Sequence, residues 1–170
     1  MRQSKLRLLS ASLVLLLASV GNVAAQSAAA PAGGAPAAQL FAAAGDVTAL
    51  AARAKSEIKP GQPMTALPIV QLAPYRASLE YRVAVGPASV HEKEAELFYV
   101  LEGSGTVVTG GTLTEGKRTN PENQSGTGIQ GGASRKVAKG DFILVPENTA
   151  HWFSTIDGTL VLMSLHLPRR

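Results

Sequence analysis

From Tyr75 onward the chain is divided into short apolar or alternating segments by glycine-containing connectors at regular intervals, and this rhythm constrains the fold more than any other feature. Tyr75, Ala77, Leu79, Tyr81, Val83 and Val85 alternate with Arg76, Ser78, Glu80 and Arg82. That period of two predicts a strand with one buried and one wet face. Further strands are predicted over residues 96–102, 106–109, 136–138, 142–145, 151–156 and 159–167. Their connectors are Gly103-Ser104-Gly105, Gly110-Gly111, Lys139-Gly140-Asp141 and Asp157-Gly158. Residues 66–72 read as another strand, which Pro68 pushes towards an edge. Many short strands at this spacing predict an all-β sandwich or barrel. The Gly/Asn/Thr-rich segment 112–134 is read as a long surface connection, with room for a short hairpin.

Upstream the pattern is different. Val47, Leu50, Ala51, Ala54 and Ile58 have helical spacing, with Asp46 as the expected N-cap and Pro60-Gly61 as the stop. Residues 26–38 are Ala, Pro, Gly, Ser and Gln, too poor in bulky apolar groups to repay the entropy of ordering, and read as a flexible tether. Residues 1–25 have the layout of an export signal: Arg2, Lys5 and Arg7, an apolar run from Leu8 to Val20, then Val23-Ala24-Ala25. Periplasmic or secreted delivery is therefore expected, and the apolar run is short for a membrane span. Removing the signal takes three of sixteen basic residues and none of the twelve acidic ones, so the net charge falls from +4 to +1. No dense basic stripe remains, which argues against nucleic-acid binding. There are no cysteines, which excludes disulfides and a lipid-anchored cysteine.

The chemistry-bearing residues gather around one turn. Gly140-Asp141 launches the apolar strand 142–145, Pro146 stops it, and Asn148 turns the chain so that His151 opens the next strand. His91 and Glu96 lie five residues apart, an odd separation that would set them on opposite faces of a straight strand. If residues 92–95 fold back, the two can share one cavity from neighbouring antiparallel strands. Two imidazoles and a carboxylate, His91, His151 and Glu96, form a ligand set suited to iron, manganese, nickel or zinc with open coordination positions.

These motifs resemble those of the cupins, over residues 74–167. The family's second motif, a glycine, five residues, a proline, one residue, usually a glycine, two residues and a histidine, is matched by Gly140, Pro146, Asn148 and His151. Asn148 stands in the second glycine slot, where Asn also tolerates the left-handed conformation. In the first motif His91, Glu96 and Gly103 fit, while Ser89 stands where a further histidine is usual. The resemblance implies a single jelly-roll barrel over residues 74–170, preceded by a helix-and-strand extension over 39–73. It also implies a homodimer and a divalent metal on His91, Glu96 and His151, with Ser89 a weak neutral substitute for the fourth donor.

Such barrels host many activities, so function rests on the site. The expected function is an exported protein holding a divalent metal and a small organic ligand at the barrel mouth, with Ser89, Glu92 or Tyr99 as polar groups near it. The rival is a metal-free ligand-binding or envelope-associated module. His166 is read as structural or solvent-facing, residues 92–94 as a solvated hairpin tip, and Trp152 and Phe153 as packing.

Overall fold

The structure, a computed structural model, describes residues 38–169. The expected export signal and all of the tether except Ala38 lie outside the described residues. Among the described residues, no helix is long and apolar enough to cross a membrane.

The one helix among them, α1 (Ala44–Glu57), forms where helical spacing predicted it. Its N-cap is Ala43 rather than Asp46. Asp46 lies inside the first turn, and its carboxylate accepts a hydrogen bond from the Ala43 amide at 2.8 Å, so it satisfies a free N–H from the third helical position instead. Ala54 is fully buried beneath the helix, with Val47, Leu50 and Ala51 beside it.

The rest is antiparallel sheet. β1 (Met64–Leu72) and β2 (Tyr75–Arg82) form a hairpin, and β1 is an edge strand with a register shift between Pro68 and Val70. β3 (Ala88–His91), β4 (Glu94–Thr109), β9 (Ala133–Ala138), β10 (Phe142–Val145) and β11 (His151–Pro168) complete the main framework. The two longest strands, β4 and β11, run antiparallel along their whole lengths, from His151 opposite Thr109 to Pro168 opposite Glu94. Gly103-Ser104-Gly105 and Asp157-Gly158 are therefore not hairpins that separate strands, as the sequence suggested. They lie opposite one another and form a corner in one ribbon, pinned by Ser104 Oγ donating to Asp157 at 2.8 Å. Glycine is needed at this corner because Gly103 has φ +84° and an added Cβ would lie 1.9 Å from the Thr159 carbonyl oxygen.

Segment 112–134 is not a bare surface connection. It holds β5 (Thr112–Thr114), β6 (Lys117–Asn120), β7 (Asn123–Gly126) and β8 (Gly128–Gln130). β5 and β8 pair with each other, while β7 lies between β6 and β3 in the main sheet, with Asn123 opposite His91 and Ser125 opposite Ser89. These strands are held by backbone ladders under mostly polar side chains, and β6 is exposed throughout. Hydrophobic periodicity has nothing to report in such a segment.

Two apolar layers flank the sheet formed by β2, β11 and β4. Outside, Leu67, Ile69, Leu79 and Val161 pack under α1. Inside the barrel, Phe98, Val100, Val107, Val145, Phe153, Leu160 and Leu162 fill the interior. β11 alternates cleanly between the layers, with Leu160 and Leu162 inside and Val161 and Met163 outside. β2 reverses the expected wet face. Its apolar side lies under the helix, so Ser78, Glu80 and Arg82 face the barrel interior: Glu80 is buried, its carboxylate binds Arg82 at 2.6 Å, and the Arg82 guanidinium sits 4.7 Å over the Phe153 ring. Alternation revealed two faces, but which of them would be solvated depended on the helix covering the other.

Candidate metal centre

The site is built around Glu96, 3% exposed, at the head of β4. Between Glu94 and Val100 the even-numbered residues of this strand point into the barrel, so Glu96 stands above Phe98 and Val100. A carboxylate buried this deeply is costly unless compensated. Three imidazoles surround it.

His91 ends β3, and its Nε2 lies 3.2 Å from Glu96 Oε2. β3 and β4 are not paired to each other as the fold-back argument required; β3 lies between β11 and β7. The turn at Glu92-Lys93 nonetheless brings both side chains to one place. His151 opens β11 with its Nε2 3.1 Å from the same oxygen. Asn148 adopts the left-handed conformation, φ +54°, and its amide donates to the His91 carbonyl oxygen at 2.7 Å, which ties the His151 turn to the His91 strand end. The structure thus brings together the three residues singled out in the sequence.

It also adds a fourth. His166 is buried, not solvent-facing, and its Nε2 is 3.3 Å from Glu96 Oε1. It is the cross-strand neighbour of Glu96 in the β4–β11 ladder, on the same face. The signal was present as parity: His166 shares the face of Leu160 and Leu162, but the register that seats it opposite Glu96 is not written in either strand alone. The Glu96 Oε1 atom also accepts a hydrogen bond from the buried Ser164 hydroxyl.

The far nitrogens are held as well. His91 Nδ1 meets Asn123 Oδ1 at 2.7 Å, His151 Nδ1 meets the Thr149 carbonyl oxygen at 3.3 Å, and His166 Nδ1 meets Glu94 Oε1 at 2.8 Å. All three partners are acceptors, so each Nδ1 carries a proton, which leaves Nε2 as the nitrogen turned to Glu96 and free to bind an ion once it is deprotonated. Glu96 Oε2, although buried, has no hydrogen-bond partner. Lone pairs facing an unpartnered carboxylate repel unless protons or a cation enter among them, and a divalent ion answers both sides of the arrangement. Donor atoms of His91, Glu96 and His166 lie within 4.8 Å of one another, close enough for one ion to reach them all.

In the metal-free protein a proton shared between His91 and Glu96 takes that ion's place. Burial alone pushes the Glu96 carboxyl up, but the imidazoles of His151, His166 and His91 outweigh it and hold the group well below its ordinary value of 4.5. Burial lowers His91, and Glu96 and Asn123 more than reverse this, so His91 is raised above 6.5. In metal-free protein a depressed carboxyl contributes stability that is complete above pH 4.5 and is lost as the pH falls below it. A raised imidazole contributes stability that is complete below pH 6.5 and is lost as the pH rises through its folded value. Chelator-treated protein is expected to melt highest between pH 4.5 and 6.5, and a flat melting profile across the flanks of that window would contradict the pairing of His91 with Glu96.

The other polar candidates lie elsewhere. Tyr99 points to the opposite face from Glu96 and packs 4.5 Å from the Phe142 ring. Glu92 is bound by Arg118 and Gln124, away from the cluster, and these partners hold its carboxyl below the ordinary value. Ser89 shares the face of His91, opposite His151. Glu94, read as a solvated tip, turns inward to His166 and also binds Arg76 at 2.9 Å. Trp152 packs over Gly128 and donates to the Gly86 carbonyl oxygen, as expected of a packing residue. Glu94 and Asn123 also line a cleft of about 380 Å³ with Arg76, Lys93 and Arg169, next to the cluster.

The family model described as Cupin matches residues 64–166, more than half of the chain. Among solved structures, KdgF from Halomonas sp. is 19% identical, with 67% of this chain and 86% of that one covered and a TM-score of 0.48. The cupin domain of Cnp3 from Schizosaccharomyces pombe is 13% identical over 67% of this chain and 71% of that one, also at 0.48. TT1209 from Thermus thermophilus is 18% identical over 68% and 94%, at 0.44. No curated protein matches the chain.

Proposed function

The chain belongs to the cupin family, and we propose that it is an exported protein that holds a divalent transition metal through His91, Glu96 and His151 and binds a small organic molecule at the barrel mouth. Divalent metals are common in this family; His91, Glu96 and His166 form a group that could hold one, and His151 Nε2 lies 3.1 Å from the same carboxylate. The observation that carries the reading is Glu96 Oε2: buried, without a hydrogen-bond partner, and within 3.2 Å of two imidazole nitrogens whose rings are oriented from behind. When bound, the ion would supply Lewis acidity or an oxygen-binding centre. The chain's own contributions are orientation of the three rings by Asn123, Thr149 and Glu94, exclusion of water from below by Phe98 and Phe153, and a polar cleft beside the cluster for the organic ligand.

Export is supported by the charged, apolar and small-residue layout of residues 1–25. A homodimer is supported by the edge strand β1 and by exposed Leu40, Phe41 and Leu72, and sedimentation analysis reads it directly. Of the metal-free alternatives, the envelope-associated module is favoured by one observation: hydrocarbon, Phe98 and Phe153 included, fills the barrel immediately below the cluster, where a ligand cavity would otherwise lie.

The test is metal analysis of protein recovered from the periplasmic fraction of an expressing bacterium, whose first residue should be Gln26. About one divalent ion per chain is expected, and the His151→Ala variant should lose most of it on dialysis, since it keeps His91, Glu96 and His166 but binds more weakly. Failure of the wild type to bind iron, manganese, nickel or zinc after reconstitution would decide for the metal-free module.

A further inference from the structure

We infer that His166 is a fourth metal donor, occupying the coordination role that Ser89 leaves without an imidazole, so that one ligand has moved from β3 to the last strand of the barrel. The inference rests on the metal reading above and assigns a residue outside both of the family's motifs.

Four observations carry it. His166 Nε2 lies 3.3 Å from Glu96 Oε1, and its donor atom belongs to the set, with His91 and Glu96, that falls within 4.8 Å. Its ring meets the His91 ring edge-on with centroids 5.1 Å apart, as close as the tilted His151 ring, whose centroid lies 5.2 Å from that of His91. Its Nδ1 is held by Glu94, itself held by Arg76, the carboxylate–histidine arrangement that fixes a ligating ring with its other nitrogen bare. Finally, Ser89 lies opposite His151 and on the face of His91, so the missing imidazole would have pointed at this same cluster. Three imidazoles and one carboxylate are restored in number, although not in chain position.

The competing account is an imidazolium held between Glu94 and Glu96, with no role towards a metal. Cobalt(II)-loaded protein separates the two, because a coordinated imidazole whose Nδ1 keeps its proton gives one hyperfine-shifted, exchangeable proton resonance. Three such resonances are expected for the wild type. In His166→Gln two should remain, with affinity for cobalt(II) or zinc(II) lower by at least about 10- to 100-fold, the range seen when a ligand's support alone is lost. The double variant Ser89→His/His166→Gln should regain three resonances and most of the affinity.

Two resonances in the wild type, or unchanged affinity in His166→Gln, would overturn the assignment of His166 while leaving a centre of His91, Glu96 and His151 intact. Absence of binding in the wild type would overturn the metal reading itself, and this inference with it. If His166→Gln does not fold, the wild-type resonance count decides alone.

Discussion

Replacing Glu96 by glutamine is expected to remove most of the metal-dependent stabilisation while leaving the metal-free protein folded. Glutamine keeps the shape of the side chain but removes the charge that faces three imidazole nitrogens at 3.1–3.3 Å. Its amide N–H can donate to a bare Nε2, so the buried position is not left unsatisfied. The metal, by contrast, loses its only anionic donor. At a metal concentration about 100 times the wild-type Kd, binding adds about 2.7 kcal/mol to wild-type stability. A site weakened about 100-fold under the same conditions adds only about 0.4 kcal/mol. Thermal melts with and without zinc(II) or manganese(II) read this contrast. Equal metal-induced shifts in the two proteins would show that the carboxylate is not at the binding site, and collapse of the metal-free variant would show that Glu96 serves chiefly to hold the fold.

Phe98→Ala carries the largest expected loss of stability, about 3–5 kcal/mol. Phe98 is 1% exposed, meets Phe153 edge-on at 5.3 Å and underlies the His151 ring at 5.9 Å. Truncating it leaves a cavity in the middle of the inner layer, where Val100, Val107 and Leu162 are held by the ladders of β4 and β11 and cannot easily collapse into the gap. Against a typical total of about 5–15 kcal/mol, this is enough to lower the denaturation midpoint sharply. Phe98→Leu should recover most of it. A loss below about 1 kcal/mol for the alanine variant would mean that the barrel is not sealed beneath the cluster, and that a ligand could reach deeper than its mouth.

The parts of the fold that were legible in the sequence share a physical cause. Strand β10 has the predicted limits because four apolar residues lie between a Gly-Asp turn and a proline, and local chemistry settles both ends. The helix appears because one apolar stripe meets a sheet. Asn148 adopts positive φ because the turn demands it and Asn tolerates it. The illegible parts depend on partners remote in the chain. β7 is polar, and it exists because β3 offers it an unpaired edge. The corner at Gly103 and Asp157 looked like two hairpins because glycine marks a bend and a turn alike, and only the pairing across it shows one continuous ribbon.

At the site the same division holds residue by residue. His151, Glu96 and His91 were identifiable from spacing, because each lies beside a turn whose chemistry is local. His166 lies in mid-strand, where a histidine at one parity looks like any other polar residue on a strand face. What the sequence alone determined is the alphabet of the site: two imidazoles and a carboxylate delivered by turns, a strand rhythm that must close on itself, and a serine where a donor was due. Tertiary structure decided the rest. The register of β4 against β11 placed His166 opposite Glu96, Glu94 turned inward to meet it, and burial of Glu96 Oε2 between Nε2 atoms made the cluster a place for a cation. Register is set by the sum of many backbone hydrogen bonds and side-chain contacts along two strands, and no single stretch of chain contains that sum.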